Sequence, residues 1–162
     1  MTYMPTPSEL EAQGQLVKID AALEEWEQEF RCLYVHPRVE NWFTSELPNL
    51  DADGFWESVQ SPEDQAEDLV YRFVSGEDDI ADLPPHSMQP KEAGVWELCT
   101  YDLRFFGWFW RKGVFIVSAV DTACRCKQHS LYAGYREQCV RDREGFDLTP
   151  PPFITGETSD VL

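Results

Sequence analysis

The sequence predicts an α+β fold, with helices gathered in the first half and an antiparallel meander of three strands in the second. Three patterns carry that expectation. Before residue 75, apolar side chains recur at three- and four-residue intervals, the period of a helix with one buried face. Aromatic and β-branched residues fill two runs on either side of Lys112-Gly113, a tight hairpin turn. Between the halves, 77–93 is polar and contains Pro84, Pro85 and Pro90, the composition of a loop.

Taken in order, Ser8-Glu-Leu-Glu11 has the S-x-x-E form of a capping box, in which side chains satisfy the orphan N–H groups of a helix start. Leu16, Ile19, Leu23, Trp26 and Phe30 continue from it as one apolar stripe, with Glu24, Glu25, Glu27 and Glu29 opposite. The chain thus begins with an extra, acidic N-terminal helix. Arg31-Cys-Leu-Tyr-Val35 is β-prone and is stopped by His36-Pro37, because proline disfavours regular structure before it. It reads as the first strand. Val39, Trp42, Phe43 and Leu47 keep helical spacing up to Pro48, and a short helical segment over 51–60 carries Phe55, Trp56 and Val59.

Ser61-Pro62-Glu63-Asp64 is a strong helix start: an N-cap, a proline at the first position, and acids at the positive dipole end. Ala66, Leu69, Val70 and Phe73 form its inner face, and Gly76 is placed to stop it. Strands follow at 95–100, 103–111 and 114–120. Leu131, Tyr135 and Cys139 suggest a last helix over 128–144, and the proline-bearing tail from Asp147 is expected to be extended or mobile. The first strand and the meander would form a small antiparallel sheet packed against the helices.

A length of 162 residues suits one domain with an appendage, and 22 aromatic residues supply ample apolar surface for a core. No run approaches the ~18–20 apolar residues of a membrane span. The opening Met1-Thr-Tyr-Met-Pro-Thr-Pro7 lacks the basic and apolar parts of a signal peptide, so the expected setting is cytoplasmic, with no membrane partner. Five cysteines, an odd number, offer no disulfide framework. Cys124-x-Cys126-x-x-His129 supplies three ligand types, but structural zinc uses four at wider spacing, so buried thiols are the reading and no metal or cofactor is implied.

Charge is divided between the halves. Residues 1–90 hold 20 acids against 4 bases, whereas 91–144 holds 9 bases against 7 acids, within a chain of net charge −17. A field of that sign hinders approach to nucleic acid, whose binding draws on Lys and Arg.

The order strand, helices, meander and C-terminal helix resembles the RelE/ParE toxin superfamily. Leu33-Tyr-Val-His-Pro-Arg-Val-Glu-Asn-Trp-Phe43 is similar to that family's first strand and helix junction. Gly94-Val-Trp-Glu-Leu98, Leu103-Arg-Phe-Phe-Gly-Trp-Phe109 and Lys112-Gly-Val-Phe-Ile-Val117 resemble its HigB-like, phage-associated branch. The resemblance divides the chain into an acidic helical extension (1–30), a RelE/HigB-like domain (31–146) and a tail (147–162). It implies a toxin that enters the ribosomal decoding site and cuts messenger RNA, held in check by an antitoxin. Such cleavage needs a base for the ribose 2′-OH, an acid for the leaving oxygen, and cations on the phosphate.

Carried over by position, the catalytic candidates are Arg104, Arg125, Lys127, His129 and Tyr135, with Tyr132 and Arg136 nearby. For Arg104, a structural ion pair with Glu97 or Asp102 is the alternative. Cys99 stands where the family has an arginine after Glu97-Leu98, and Thr122-Ala123 where it has paired lysines.

Two classes of function follow. One is the ribonuclease. The other is a non-enzymatic member of the same fold whose acidic surface imitates nucleic acid and fills a basic groove on a protein partner, in the manner of a phage anti-defence inhibitor. Its contact candidates are Glu24, Glu25, Glu27, Glu29, Asp64, Glu67, Asp68, Glu77, Asp78 and Asp79, whose ordinary alternative is the solvated face of a helix. A third reading has residues 1–30 covering the basic cleft like a built-in antitoxin.

Overall fold

The computed structural model describes residues 3–52 and 60–162. In chain order its elements are α1 (Pro7–Ala12), β1 (Val17–Ile19), β2 (Cys32–Val35), α2 (Pro37–Ser45), α3 (Pro62–Val74), β3 (His86–Ser87), β4 (Trp96–Cys99), β5 (Leu103–Arg111), β6 (Val114–Thr122), α4 (Ala123–Gln128), α5 (Tyr132–Phe146) and α6 (Thr158–Val161). The α+β class is as expected. The helical segment anticipated over 51–60 falls largely outside the described residues.

The sheet is larger than the sequence suggests, and it is mixed. Its strands run in the order β1-β2-β6-β5-β4-β3. All neighbours are antiparallel except β2 and β6, which lie parallel with Leu33 beside Phe115 and Val35 beside Val117. The connection from β2 to the meander passes through α2 and α3, and a crossover of that length permits parallel pairing.

Helices cover both faces. On one, α2 and α3 bring Val39, Leu69, Val70 and Phe73 against Leu33, Val35, Leu98, Phe105, Phe109 and Phe115. On the other, α1, α4 and α5 bring Leu10, Cys126 and Cys139 against Tyr34, Phe106, Trp108 and Ile116. Being buried on both sides, β5 reads as an unbroken apolar run rather than an alternating one.

The long N-terminal helix is corrected. Thr6, not Ser8, caps α1: its hydroxyl accepts from Glu9 N–H, and the Glu9 carboxylate accepts in return from Thr6 N–H. The T-x-x-E pattern lies two residues before the S-x-x-E one, and Pro7 takes the first helical position. The helix ends within two turns, where Gly14 adopts a φ of +75°, open to glycine at no steric cost. β1 follows, its Val17 and Ile19 suited to a strand.

The apolar stripe is divided as a result. Leu16 enters the α5-side core, Ile19 and Leu23 pack toward the α3 side, and Trp26 and Phe30 stay exposed. Residues 20–31 form an irregular strap tied to α3 by Phe30 N–H to Val74 O (2.9 Å) and by the Tyr71 hydroxyl to Glu27.

The tail is also corrected: it is docked. Arg111 donates to the carbonyls of Pro150 (3.1 Å) and Pro151 (2.6 Å), and Trp110 Nε1 to Thr149 O (3.0 Å). Arg143 sits 3.6 Å from the Phe153 ring centroid, and Val161 is fully buried in the α3-side core. Trp110 and Arg111 lie far off in sequence, so local composition did not reveal them.

His36 caps α2, its Nδ1 accepting from Arg38 N–H at 3.2 Å, a role that requires the neutral ring at that nitrogen. Burial, aided by the Arg38 charge, holds its pKa below the usual 6.5. The folded state therefore binds fewer protons than the unfolded chain, and the stabilisation present above that pH is lost as pH falls below it. Between pH 8 and 5, the wild type should lose about 1 kcal/mol relative to His36→Asn, which caps at every pH. Urea midpoints of the two proteins across that range provide the check.

Candidate functional site

Strand register brings together the group that the sequence approached from one side only. In β5, Arg104 shares its face with Phe106, toward α5. Cross-strand pairing sets Arg104 between Cys99 on β4 and Asp121 on β6, and sets Glu97 between His86 on β3 and Phe106. Tyr132 and Tyr135 of α5 meet Phe106, the latter stacked at a centroid distance of 4.8 Å. The result is a cavity of about 610 Å³ whose lining includes His86, Gln89, Glu97, Cys99, Arg104, Tyr132 and Arg136.

Glu97 is the hub. Its side chain is 5% exposed, and Oε1 accepts from Arg104 Nε at 3.1 Å while Oε2 lies 2.7 Å from His86 Nε2. Burial raises its pKa, and the charges of His86 and Arg104 oppose that rise. Arg104 is equally enclosed, with Nη1 donating to Thr100 O (2.6 Å) and Leu103 O (2.9 Å). Of the two acids offered as its partner, Glu97 takes the role. Asp102 instead accepts from Gln65 Nε2 at 2.6 Å on the far side of the sheet turn. Burial, reinforced by the Glu97 charge, pushes the Cys99 thiol up to about 12, so it stands protonated at neutral pH.

The other catalytic candidates gather in part. Asp121 accepts from Arg125 Nε (3.2 Å) and from the Tyr135 hydroxyl (2.5 Å), while the rest of the Arg125 side chain stays exposed. Burial first, and this hydrogen bond second, push the Tyr135 phenol far above its usual range. Lys127 is exposed in the last turn of α4, and its charge reaches Glu97. His129 is exposed at the C-cap of α4 and does not line the cavity. No residue from 3–30 lines that cavity either, and β1 lies at the opposite sheet edge from β3, so a covering role there for the N-terminal segment is not what the structure has. His86 was absent from the sequence-based candidates. The signal available was its pairing distance to the Trp-Glu-Leu strand, which only the two-residue strand β3 turns into contact.

The acidic candidates form a second assembly. Glu24, Glu25 and Glu29 on the strap, Asp64 and Glu67 on α3, and Glu77, Asp78 and Asp79 beyond it are exposed, whereas Glu27 and Asp68 are half-buried. Some are tied down: Glu29 to Lys18 (2.8 Å), Glu27 to Tyr71, and Asp68, Glu77 and Asp82 around Arg72 at 3.3, 3.4 and 3.4 Å. Beside them lies an apolar cavity of about 730 Å³ bounded by Ile19, Phe43, Leu47, Ala66 and Val70, with Asp20, Glu63 and Glu67 on its rim. Trp26, 82% exposed, stands among the strap carboxylates.

No helix among the described residues is long and apolar enough to cross a membrane. No protein-family model matches the chain, and no curated protein or solved structure matches it either.

Proposed function

We propose that the chain is a non-catalytic binding module that offers a preformed acidic surface to a basic, nucleic-acid-binding groove on another protein. One observation carries this reading. Arg104, the arginine carried over to the meander, is enclosed and bonded to buried Glu97, and Arg125, though 60% exposed, is paired through Nε with Asp121, while most acids of the strap and α3 face solvent. A guanidinium already bonded to a buried carboxylate and two carbonyls has little left to give a phosphate. An exposed tryptophan ringed by acids fits a protein interface, where aromatic anchors supply affinity and charge supplies steering.

The immobilised chain is expected to capture a basic protein in a complex that salt dissociates and that a nucleic-acid oligomer competes away. Glu24→Lys with Glu25→Lys should weaken it at least about 10-fold, and Trp26→Ala by a similar factor. Capture undiminished by both changes would refute the reading.

A ribonuclease of the RelE/HigB kind is the second reading, supported by the resemblance and by the convergence of Arg104, Arg125 and Tyr135 around Asp121. Messenger RNA cut in a translation extract by the wild type, but not by Arg125→Ala, would establish it and displace the first.

A further inference from the structure

We infer that His86, Glu97 and Cys99 form a binding site for a zinc-class divalent cation, with its open coordination position facing the cavity beneath Tyr132 and Arg136. The inference is independent of the acidic surface.

The backbone builds the set. His86 and Glu97 are directly opposed on β3 and β4, and Cys99 lies two residues further along β4, so all three side chains leave the same face. One donor atom from each lies within 4.8 Å of the other two. Tetrahedral zinc, at ~2.0–2.3 Å from nitrogen, oxygen and sulfur, needs its ligand atoms roughly 3.3–3.6 Å apart. Reaching that spacing takes an opening of the 2.7 Å His86–Glu97 separation and an approach of the Cys99 sulfur from no more than 4.8 Å, both by side-chain rotation. Glu97 and Cys99 are buried, and Arg104 holds Oε1 of Glu97, leaving Oε2 turned toward His86. Carboxylates and imidazoles that ligate metals are oriented by such outer partners.

Donor chemistry selects the ion. Nitrogen, oxygen and sulfur together suit zinc and its borderline neighbours, and the sulfur disfavours magnesium and calcium. On binding, the Cys99 S–H bond breaks, its proton leaves to solvent, and the sulfur lone pair goes to the metal. The carboxylate and thiolate then balance the dication, and Arg104 keeps its contact with Glu97. The net charge of −17 raises the local concentration of any cation. The motif noticed in the sequence contributes nothing here: Cys126 is buried in the core, and among the described residues His86, Glu97 and Cys99 are the one cluster of this kind.

Cobalt(II) is the probe, because a cobalt–thiolate bond gives a near-ultraviolet charge-transfer band that histidine and carboxylate alone do not. The full chain should show that band at about one equivalent, and zinc should abolish it by displacement. Cys99→Ser should lose the band, Cys124→Ser should keep it, and His86→Ala, at an exposed edge, should weaken cobalt binding at least about 10-fold. No band at millimolar cobalt overturns the inference. So does a band that survives Cys99→Ser or is indifferent to His86→Ala, the latter applying even where the serine variant fails to fold.

Discussion

Arg104→Met should lower folding stability by about 3–5 kcal/mol at pH 7, because it strands a buried carboxylate. Glu97 and Arg104 are 3% and 6% exposed, and the guanidinium also satisfies the Thr100 and Leu103 carbonyls. With the cation gone, His86 still contacts Glu97 and the Lys127 charge still reaches it, but the paired guanidinium is lost. The carboxyl pKa, already raised by burial, then rises further. A carboxyl whose folded pKa exceeds its unfolded value binds more protons when folded, so stability is lost as pH rises through the folded value. The deficit should therefore shrink between pH 7 and 5. Arg104→Met combined with Glu97→Leu should recover most of it, because replacing both members of a buried pair by apolar groups is near neutral. Urea unfolding of the four proteins completes the cycle. Equal losses in the single and double variants would show that the ion pair is not the cause.

Gly107→Ala should cost at least about 3 kcal/mol, at the upper end of overpacking losses. An added Cβ would lie 2.0 Å from the Ile116 carbonyl oxygen, a backbone atom of the neighbouring strand. The register between β5 and β6 shifts at Phe106 and Gly107, and the strands close there to a separation that only hydrogen accommodates. Both strands are central in the sheet and covered by helices on each face, so neither moves aside. Gly134→Ala in α5 is the control: nothing lies within 4 Å of its added carbon, and it should gain up to about 1 kcal/mol from helix propensity. Thermal unfolding of the two variants should move in opposite directions.

Where sequence and structure agree, the determinants are local. Ser61 caps α3 through Asp64 N–H, Lys112-Gly113 turns the hairpin, and β5 spans the residues expected of it. Disagreement arises where a choice depends on distant partners. Of two overlapping capping patterns, at Thr6 and Ser8, the first has Pro7 at the first helical position and prevails, and the stripe beyond Gly14 is taken up by pairing of β1 with β2. The tail reads as extended or mobile because its hydrogen-bond partners Arg111 and Trp110 are distant in sequence. At the site, Arg104 comes from the family resemblance with Glu97 and Asp102 both offered as its partner, and the choice of Glu97 rests on the β4–β5 register. His86 was not legible, because it sits in a proline-bounded loop that pairs over just two residues.

The strap that carries Trp26 has an optical consequence. Trp96 and Trp108 are 3% and 0% exposed, so Trp26 at 82% dominates what a dissolved quencher can reach among them. Its immediate neighbours Glu24, Glu25 and Glu27 make that access depend on the sign of the quencher. Caesium ions gather around the indole, iodide is repelled, and neutral acrylamide reports the bare geometry. The ratio of caesium to iodide quenching, taken against that of Trp26→Phe to remove the other tryptophans, half-buried Trp42 and Trp110 among them, is thus a local electrometer built into the chain. It reads the field at the strap without a label, and it collapses toward unity as salt is raised past the point where the Debye length falls below about 3 Å.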